Sequence, residues 1–201
     1  MSALFPLFLR LHGLPVLVVG AGPVALEKTR ALLAANAKVR VVALDVIAAF
    51  ADVPVTIERR AFEASDVDEV FFVVAAATPE VNRAVLAAGN AAHRFVVAVD
   101  DPDACTAYGA AVLERGGVSI AFSSSGRAPS LVALLRRAVE SVLPEDLSEW
   151  RLTAESLRAS LKEKGVPLAE RTPLLLSALQ AMYAPPPRAF EGDAQTNGGT
   201  P

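Results

Sequence analysis

The chain of 201 residues contains a single cysteine, Cys105, and only two histidines, His12 and His93. One cysteine excludes a disulfide framework and a cysteine metal cage. It is typical of proteins in a reducing compartment, so we expect a cytoplasmic protein. The two histidines lie on different segments and lack the spacing of metal ligands, so we expect no resident metal ion.

An excess of one charge and long apolar runs are also missing. The formal net charge is −3, and no basic run is long enough to form a nucleic-acid-binding surface. No apolar run reaches the roughly 18 residues that a membrane-spanning helix needs, and residues 1–10 lack the features of a signal peptide. We therefore expect neither nucleic acid nor a membrane as a partner.

The residues that are present favour a folded α/β domain. Hydrophobic residues make up 53% of the chain and charged residues 20%, which is typical of a globular protein. Strand-like and helix-like segments alternate through the first hundred residues, which predicts a doubly wound, mostly parallel, Rossmann-like sheet. The predicted strands are Val16–Val19, Lys38–Leu44, Val55–Arg59, Val70–Ala76 and Phe95–Val99, and the predicted helices are Pro23–Ala35, Asp45–Ala51 and Pro79–Ala92.

A glycine-containing turn, Val-Val-Gly-Ala-Gly-Pro-Val-Ala, links the first predicted strand to the first predicted helix. Gly20 permits a tight turn, Gly22 lets a phosphate approach the backbone, and Ala25 allows close packing of helix on strand. The helix N-terminus at Pro23 and Val24 offers unpaired N–H groups and a partial positive charge to a pyrophosphate. The pattern predicts a dinucleotide site, the alternative being a tight turn that binds no ligand.

Residues after the second and fourth predicted strands add to this site. Asp45, about twenty residues past the glycines, could grip a ribose hydroxyl or could cap the helix that follows. No arginine directly follows that strand to hold a 2′-phosphate, which favours NAD over NADP. Thr78 either caps the next helix or touches the cofactor, and Asn82, one turn later, could face the same crevice.

Three aspartates follow the fifth predicted strand, at the edge of the sheet where ligands bind. A carboxylate of Asp100, Asp101 or Asp103 can accept a proton or hold a cation; alternatively, the three form an Asp-Pro turn with a helix cap. Further along the chain, Arg127 could bind a carboxylate or could lie on the solvated face of its helix.

The alternating pattern stops after Asp100. Two strands joined by Gly116-Gly117 precede an amphipathic helix, Pro129–Val142, whose apolar face needs a partner, so we expect a homodimer. The later segments are strands Tyr108–Glu114 and Val118–Ser123 and helices Asp146–Lys164 and Pro173–Tyr183. We expect a nucleotide-binding domain over 1–105, a dimerisation and substrate region over 106–145, a small helical domain over 146–184 and a disordered tail over 185–201.

Several segments, in this order and at this spacing, resemble the precorrin-2 dehydrogenase family, the dehydrogenase and ferrochelatase part of siroheme synthases. The resemblance covers residues 5–150. Its motifs are Phe-Pro-Leu-Phe at 5–8, Val-Val-Gly-Ala-Gly-Pro-Val-Ala at 18–25, Ala-Ala-Ala-Thr-Pro-Glu-Val-Asn at 75–82, Val-Asp-Asp-Pro-Asp-Ala-Cys at 99–105 and Ser-Ser-Ser-Gly-Arg-Ala-Pro-Ser-Leu at 123–131.

The resemblance implies a homodimeric, NAD-dependent enzyme that oxidises precorrin-2 to sirohydrochlorin, in some members followed by Fe²⁺ insertion to give siroheme. It implies a catalytic aspartate at Asp100 and a serine near the substrate pocket at Ser124. It also implies cofactor contacts at Leu44 and Asp45, in addition to those at 22–24.

The sequence departs from the family pattern in two segments. Val97 stands where the family has an asparagine three residues before the aspartate, and Arg127-Ala128 replaces small or hydroxyl residues in the serine loop. We expect Arg127 to bind a carboxylate of the tetrapyrrole, since its planar guanidinium binds carboxylates at two points. We expect Asn82 to contribute a further substrate contact.

Other enzyme classes with a Gly-x-Gly turn fit less well. A Rossmann methyltransferase usually has an acidic residue before the first glycine, where this chain has Val19. A short-chain dehydrogenase needs Tyr-x-x-x-Lys, but Tyr108 is followed four residues later by Val112, and Tyr183 by a proline. The non-enzyme alternative is an NAD-binding sensor module without tetrapyrrole chemistry, which explains the fold but not the motifs after Asp100.

Overall fold

The computed structural model describes residues 4–180, which divide into two compact units. The first unit comprises the residues up to Ala111 together with Phe122–Ala133, and the second comprises Val112–Ala121 together with the residues from Leu134 onward. The expected division into four regions stays a prediction. No helix within residues 4–180 is long and apolar enough to cross a membrane.

The first unit contains a five-stranded parallel sheet and two α-helices. The strands are β1 (Pro15–Val19), β2 (Lys38–Val42), β3 (Thr56–Glu58), β4 (Phe72–Ala75) and β5 (Phe95–Ala98), and the helices are α1 (Pro23–Ala34) and α2 (Pro79–Ala91). The strands lie in the order β3-β2-β1-β4-β5. This strand order is that of a Rossmann-type dinucleotide-binding sheet, so the predicted fold class is confirmed.

The core lies on both faces of this sheet. Val16 and Val18 of β1 pack in the cluster that contains residues of α1, whereas Leu17 packs in the cluster that contains Val85 of α2 and Val96 of β5. All five side chains are fully buried. Strands covered on both faces read as continuous apolar runs, which is why β1 and β4 show no polar alternation.

The connection between β2 and β3 differs from its prediction. β2 ends at Val42 rather than at Leu44, and the predicted helix Asp45–Ala51 is a short 3₁₀ helix, Ala48–Phe50, preceded by Ile47. Ile47 N–H donates to the carbonyl of Ala21 at 3.2 Å, and the helix begins only after this residue. The interpretation of Asp45 as the cap of this helix is therefore wrong.

Most of the second unit follows the predicted order. The strands β6 (Ala111–Arg115) and β7 (Val118–Phe122) form a hairpin. The glycines at its turn have positive φ angles of 58° and 78°, as a two-residue hairpin turn requires. The Arg115 guanidinium donates to the carbonyls of Glu140 (3.1 Å) and Leu143 (2.7 Å) at the end of the following helix. The helices are α3 (Pro129–Val142), α4 (Leu147–Glu163) and α5 (Leu168–Gln180).

Only α5 is displaced by more than three residues from its prediction. It begins at Leu168 and carries Pro173 inside the helix, whereas the sequence predicts a start at Pro173. Pro173 is the sixth residue of this helix, beyond the first four N–H groups that lack partners, so it removes the internal hydrogen bond that an N–H there would donate to the Ala169 carbonyl. The predicted end at Tyr183 and the predicted tail over 185–201 lie outside the described residues.

A groove of about 1060 Å³ lies near the amino ends of the strands in the first unit. Arg40 donates to Glu58 at 3.1 Å and to the buried Asp66 at 3.0 Å, and Arg60 donates to the same two carboxylates. The hydrogen bonds from Arg60 hold the pKa of Asp66 well below its usual range. Because these charges bind one another, we place the candidate site at the opposite edge of the sheet.

One buried polar atom in α1 predicts a stabilising substitution. Thr29 is fully buried, and its hydroxyl oxygen has no hydrogen-bond partner among the described residues. An unsatisfied buried polar group costs roughly 1–3 kcal/mol, so Thr29→Val should raise the free energy of unfolding by about 1 kcal/mol in urea denaturation. Thr29→Ser, which keeps the hydroxyl and loses a methyl group, should lower it. No gain in Thr29→Val would mean that a helix carbonyl accepts this hydrogen bond in solution.

Candidate nucleotide-binding and catalytic site

The carboxyl ends of four neighbouring strands lie level with one another. Val19 pairs with Val42 on one side and with Ala75 on the other, and Ala75 pairs with Ala98. The pairing continues one residue further, because the N–H groups of the next residues in the chain still donate to strand carbonyls at 2.8–3.1 Å. The segments that begin at residues 20, 43, 76 and 99 therefore leave the sheet at one edge, where open α/β sheets bind ligands.

Gly20 is required by the fold itself. Its φ angle of 105° is one that side-chain-bearing residues rarely adopt, and a Cβ atom there would collide with the backbone carbonyl of Ala76. The turn after β1 therefore passes directly against the chain that leaves β4. Gly20 fixes the position of the next residues but does not by itself indicate a ligand.

Gly22 is not explained by the fold. Its φ angle of −85° is open to any residue, and a Cβ atom there would meet nothing within 4 Å. The first hydrogen bond of α1 runs from Leu26 N–H to the Gly22 carbonyl, so the N–H groups of Val24 and Ala25 have no partner within the helix. No acidic side chain lies in the first turn. A helix N-terminus with open space before it fits the pyrophosphate of a dinucleotide.

Two other predicted cofactor residues follow β2. Leu44 is 70% exposed, although its type favours burial, and Asp45 is also exposed. Neither side chain contributes to the core. Their position beyond the end of β2 agrees with the predicted ribose contact, which stays a prediction.

Thr78 and Asn82 lie at the start of α2 and have different surroundings. Thr78 occupies the cap position but makes no capping bond from its side chain. The carboxylate of Glu80, in the first turn of α2, accepts hydrogen bonds from its own backbone N–H and from the Thr78 side chain. Both lower the pKa of Glu80. Asn82 is 3% exposed, and its side-chain oxygen accepts from Ala77 N–H at 3.1 Å. Asn82 therefore holds the turn after β4, and its burial gives no support to the predicted substrate contact.

The three aspartates after β5 have separate positions. Asp101 precedes the short 3₁₀ helix Pro102–Ala104 and caps it, because its side chain accepts from Ala104 N–H at 3.3 Å. Asp100 is exposed and has a φ angle of 57°. A positive φ is uncommon outside glycine and concentrates at functional sites, although aspartate tolerates it better than most residues. Capping thus falls to Asp101, and the Asp100 side chain lies at the surface of the ligand edge.

The serine loop packs against the aspartate turn within the first unit. If Gly126 had a Cβ atom, that atom would lie 3.2 Å from Cγ of Pro102 and 3.7 Å from a ring carbon of Tyr108. The Tyr108 hydroxyl donates to the Pro102 carbonyl at 3.1 Å. The fold thereby joins two motifs that lie more than twenty residues apart in the sequence. The sequence predicts Tyr108 at the start of a strand, which begins instead at Ala111, and no periodic pattern indicates the contact of Tyr108 with Pro102.

The predicted substrate residues of this loop lie near the start of α3. The Ser124 hydroxyl oxygen accepts from Ala128 N–H at 2.9 Å, so Ser124 fixes the entry to the helix. Arg127 is exposed beside it, and its backbone N–H donates to the Ser124 carbonyl at 3.1 Å. Within residues 4–180, no group of three or more histidine, cysteine or acidic side chains could hold a metal ion.

The class of protein follows from this fold and site. A family model for NAD(P)-binding domains matches residues 7–111, so the chain belongs to this NAD(P)-binding family. Siroheme synthase 1 of Klebsiella pneumoniae is 40% identical over 164 residues, which are 79% of this chain and 35% of that protein. A siroheme synthase of Neisseria meningitidis is 37% identical over 172 residues, which are 83% of this chain and 36% of that protein.

These matches confirm the resemblance to siroheme synthases that the motifs predict. The chain spans about a third of the length of the curated relatives it matches. Among solved structures, SirC, a precorrin-2 dehydrogenase, matches with a TM-score of 0.61 and 23% identity over 87% of this chain and 88% of that chain. This likeness confirms the fold.

Proposed function

We propose that this chain is an NAD-dependent dehydrogenase that oxidises precorrin-2 to sirohydrochlorin. The observation that carries the proposal is the single sheet edge from which Gly22 and Asp100 both emerge. A phosphate-binding turn and a carboxylate at one edge suit an enzyme that transfers a hydride and a proton. The siroheme synthase relatives and the precorrin-2 dehydrogenase neighbour support the choice of substrate.

In this proposal the residues at the sheet edge have separate roles. The N–H groups of Val24 and Ala25 bind the pyrophosphate, Gly20 fixes the turn before them, and Gly22 keeps a side chain away from the phosphates. NAD, when bound, supplies the hydride acceptor. Oxidation of precorrin-2 removes a hydride and a proton, and the Asp100 carboxylate accepts the proton.

We infer that NAD is preferred over NADP. The Asp45 carboxylate, exposed beyond β2, suits hydrogen bonds to ribose hydroxyls and would repel a 2′-phosphate. Titration of the protein with both dinucleotides measures this preference. Asp45→Asn should reduce the difference between the affinity for NAD and the affinity for NADP, because the amide does not repel the 2′-phosphate.

Fe²⁺ insertion into sirohydrochlorin is the second step that we propose, with Fe²⁺ as a substrate. Insertion requires removal of protons from pyrrole nitrogens, and the Asp100 carboxylate can accept a proton there also.

We propose the cytoplasm as the location, since the single cysteine has no disulfide partner in the chain.

The direct test supplies purified protein with precorrin-2 and NAD under anaerobic conditions, then adds Fe²⁺, and follows the absorption spectrum. We expect NAD-dependent appearance of sirohydrochlorin, with NADP less effective. Protein that binds NAD but leaves precorrin-2 unchanged would overturn the dehydrogenase and favour the sensor alternative. Formation of sirohydrochlorin without faster Fe²⁺ uptake than in a protein-free control would overturn the chelatase step alone.

Arg127 is expected to bind a carboxylate of the tetrapyrrole. A hydrogen bond to a charged group contributes roughly 1.5–3 kcal/mol, so Arg127→Ala should raise the apparent KM for precorrin-2 about ten-fold or more, and should lower kcat less. Arg30→Ala, which removes an exposed arginine of α1, is the matched control. An unchanged KM in Arg127→Ala would mean that this exposed side chain, which lies before α3, contacts only solvent.

We propose that the protein forms a homodimer through α3. Leu131, Leu134 and Val142 of this helix are 52%, 63% and 59% exposed. Sedimentation at micromolar concentration should give twice the monomer mass, and Leu134→Glu should shift it toward the monomer. The control Leu152→Glu places the same charge on an exposed leucine of α4 and should leave the mass unchanged. A monomeric wild-type protein would overturn the proposal.

A further inference from the structure

The outer edge of β5 is covered by residues 105–107, through side chains and backbone, instead of by a sixth strand. β5 lies at one end of the sheet, so the outward N–H and carbonyl groups of alternate residues need partners. Val96 N–H donates to the Thr106 hydroxyl oxygen at 2.8 Å, and the Val96 carbonyl accepts from Thr106 and Ala107 N–H at 2.9 and 3.0 Å. Two residues on, Ala98 N–H donates to the Cys105 sulfur at 3.1 Å.

The Cys105 thiol also closes the loop that carries Asp100. Its sulfur lies 3.3 Å from the Ala98 carbonyl oxygen and 3.3 Å from the Asp101 carbonyl oxygen, so one S–H proton is shared between two acceptors. Burial raises the pKa of the Cys105 thiol, which keeps the proton that these hydrogen bonds require. The thiol thus links the end of β5 to the residue that follows Asp100.

The conformation of Asp100 needs such a link. A left-handed backbone in a residue other than glycine persists only where its surroundings impose it. Before Asp100, Val99 N–H donates to the Ala75 carbonyl at 2.8 Å. After it, Asp101 is held by Cys105 through its carbonyl and by Ala104, whose N–H donates to Asp101. The residues on both sides of Asp100 are therefore fixed by hydrogen bonds, and Cys105 makes one of the bonds on the C-terminal side.

We propose that Cys105 is a positioning residue for Asp100, acting through the hydrogen bonds of its thiol to Ala98 and Asp101. The catalytic consequence rests on the proposed function, whereas the ordering of the loop does not. A serine hydroxyl both donates and accepts hydrogen bonds, so it can replace the thiol in part. An alanine side chain can do neither and leaves the Ala98 amide without its acceptor.

The first test needs no activity. Amide hydrogen exchange is measured by NMR for Cys105→Ala, Cys105→Ser and the control Thr106→Val, which removes the edge bond to Val96. The reporter is the Ala104 amide, because it bonds to Asp101 and not to Cys105. We expect its exchange to accelerate in Cys105→Ala, to recover at least in part in Cys105→Ser, and to stay unchanged in Thr106→Val. Equal Ala104 exchange in the wild-type protein and in Cys105→Ala would overturn the proposal.

The second test separates this proposal from the proposed function. A misplaced catalytic group can cost up to about 100-fold in rate, so Cys105→Ala should lower kcat for precorrin-2 with little change in the KM for NAD, and Cys105→Ser should restore part of it. In an Asp100→Asn background, Cys105→Ala should cause no further loss. An equal further loss would show that Cys105 does not act through Asp100. A wild-type protein that does not oxidise precorrin-2 would overturn the function, and Ala104 exchange would still decide the ordering of the loop.

Discussion

Gly22→Asp is expected to abolish measurable NAD binding in a protein that remains folded. The φ angle of Gly22 is compatible with any side chain, and a Cβ atom there meets nothing within 4 Å, so the substitution causes no clash in the protein itself. The new carboxylate would lie before the N-terminus of α1, in the space proposed for the pyrophosphate. Displacing or opposing that group costs about 3 kcal/mol or more, a loss of at least about 100-fold in affinity.

The same substitution should leave thermal stability unchanged or raise it. Aspartate is a favoured residue at the cap position of a helix, and its charge complements the helix N-terminus. The affinity for NAD, measured by calorimetric titration, is therefore expected to fall, whereas the midpoint temperature of thermal unfolding should stay the same or rise. Gly22→Asn is the matched control, since it has the same shape without the charge and separates repulsion from steric exclusion. Unchanged NAD affinity in folded Gly22→Asp would mean that the cofactor site lies elsewhere.

Gly20→Ala provides the opposite case in the same turn. Its Cβ atom would collide with the Ala76 carbonyl, and its φ angle is unfavourable for alanine. We expect this variant to lose stability first and NAD affinity only as a consequence. The two glycines look alike in the sequence motif, and only the structure separates the one that the fold needs from the one that it does not.

The centre of the sheet could be predicted from the sequence for a physical reason. Val16, Leu17, Val18 and the apolar run of β4 are buried on both faces of a parallel sheet, and few other structures accommodate such runs. The residues at which the strands end were predicted less accurately. The prediction extends β2 to Leu44 because the residues remain apolar, yet Leu44 is 70% exposed. Hydrophobicity identifies a strand but does not say where its pairing stops.

The candidate site was predictable only where it depends on the strands. Asp100 and Gly22 follow strand ends, so their common edge could be predicted from the alternation of strands and helices. The role of Asn82 could not, because nothing in the sequence shows that its side chain bonds to Ala77. The hydrogen bonds of Cys105 and the contact of Gly126 with Pro102 join irregular segments. Such contacts leave no periodic signal in the sequence.

Asp100→Asn is expected to lower precorrin-2 oxidation by about 100- to 10,000-fold, the range that a general base typically contributes. Asparagine has nearly the same shape and, like aspartate, tolerates a positive φ angle, so the backbone at 57° should persist. The amide cannot accept the proton that leaves precorrin-2. NAD affinity should not change, because this side chain has no part in the proposed cofactor turn. The loss should therefore appear in kcat, measured from the absorption spectrum at saturating NAD.

Asp101→Asn and Asp103→Asn are the controls for this assignment. Asparagine caps helices as well as aspartate does, so Asp101→Asn should keep the cap to Ala104 N–H and most of the activity. Asp103 is exposed within the short helix after the cap, and its substitution should have little effect. If Asp100→Asn stays active and one of the controls does not, that control carries the catalytic carboxylate. If all three variants retain activity, the proton is accepted by some other group, and the sheet edge contributes only cofactor binding.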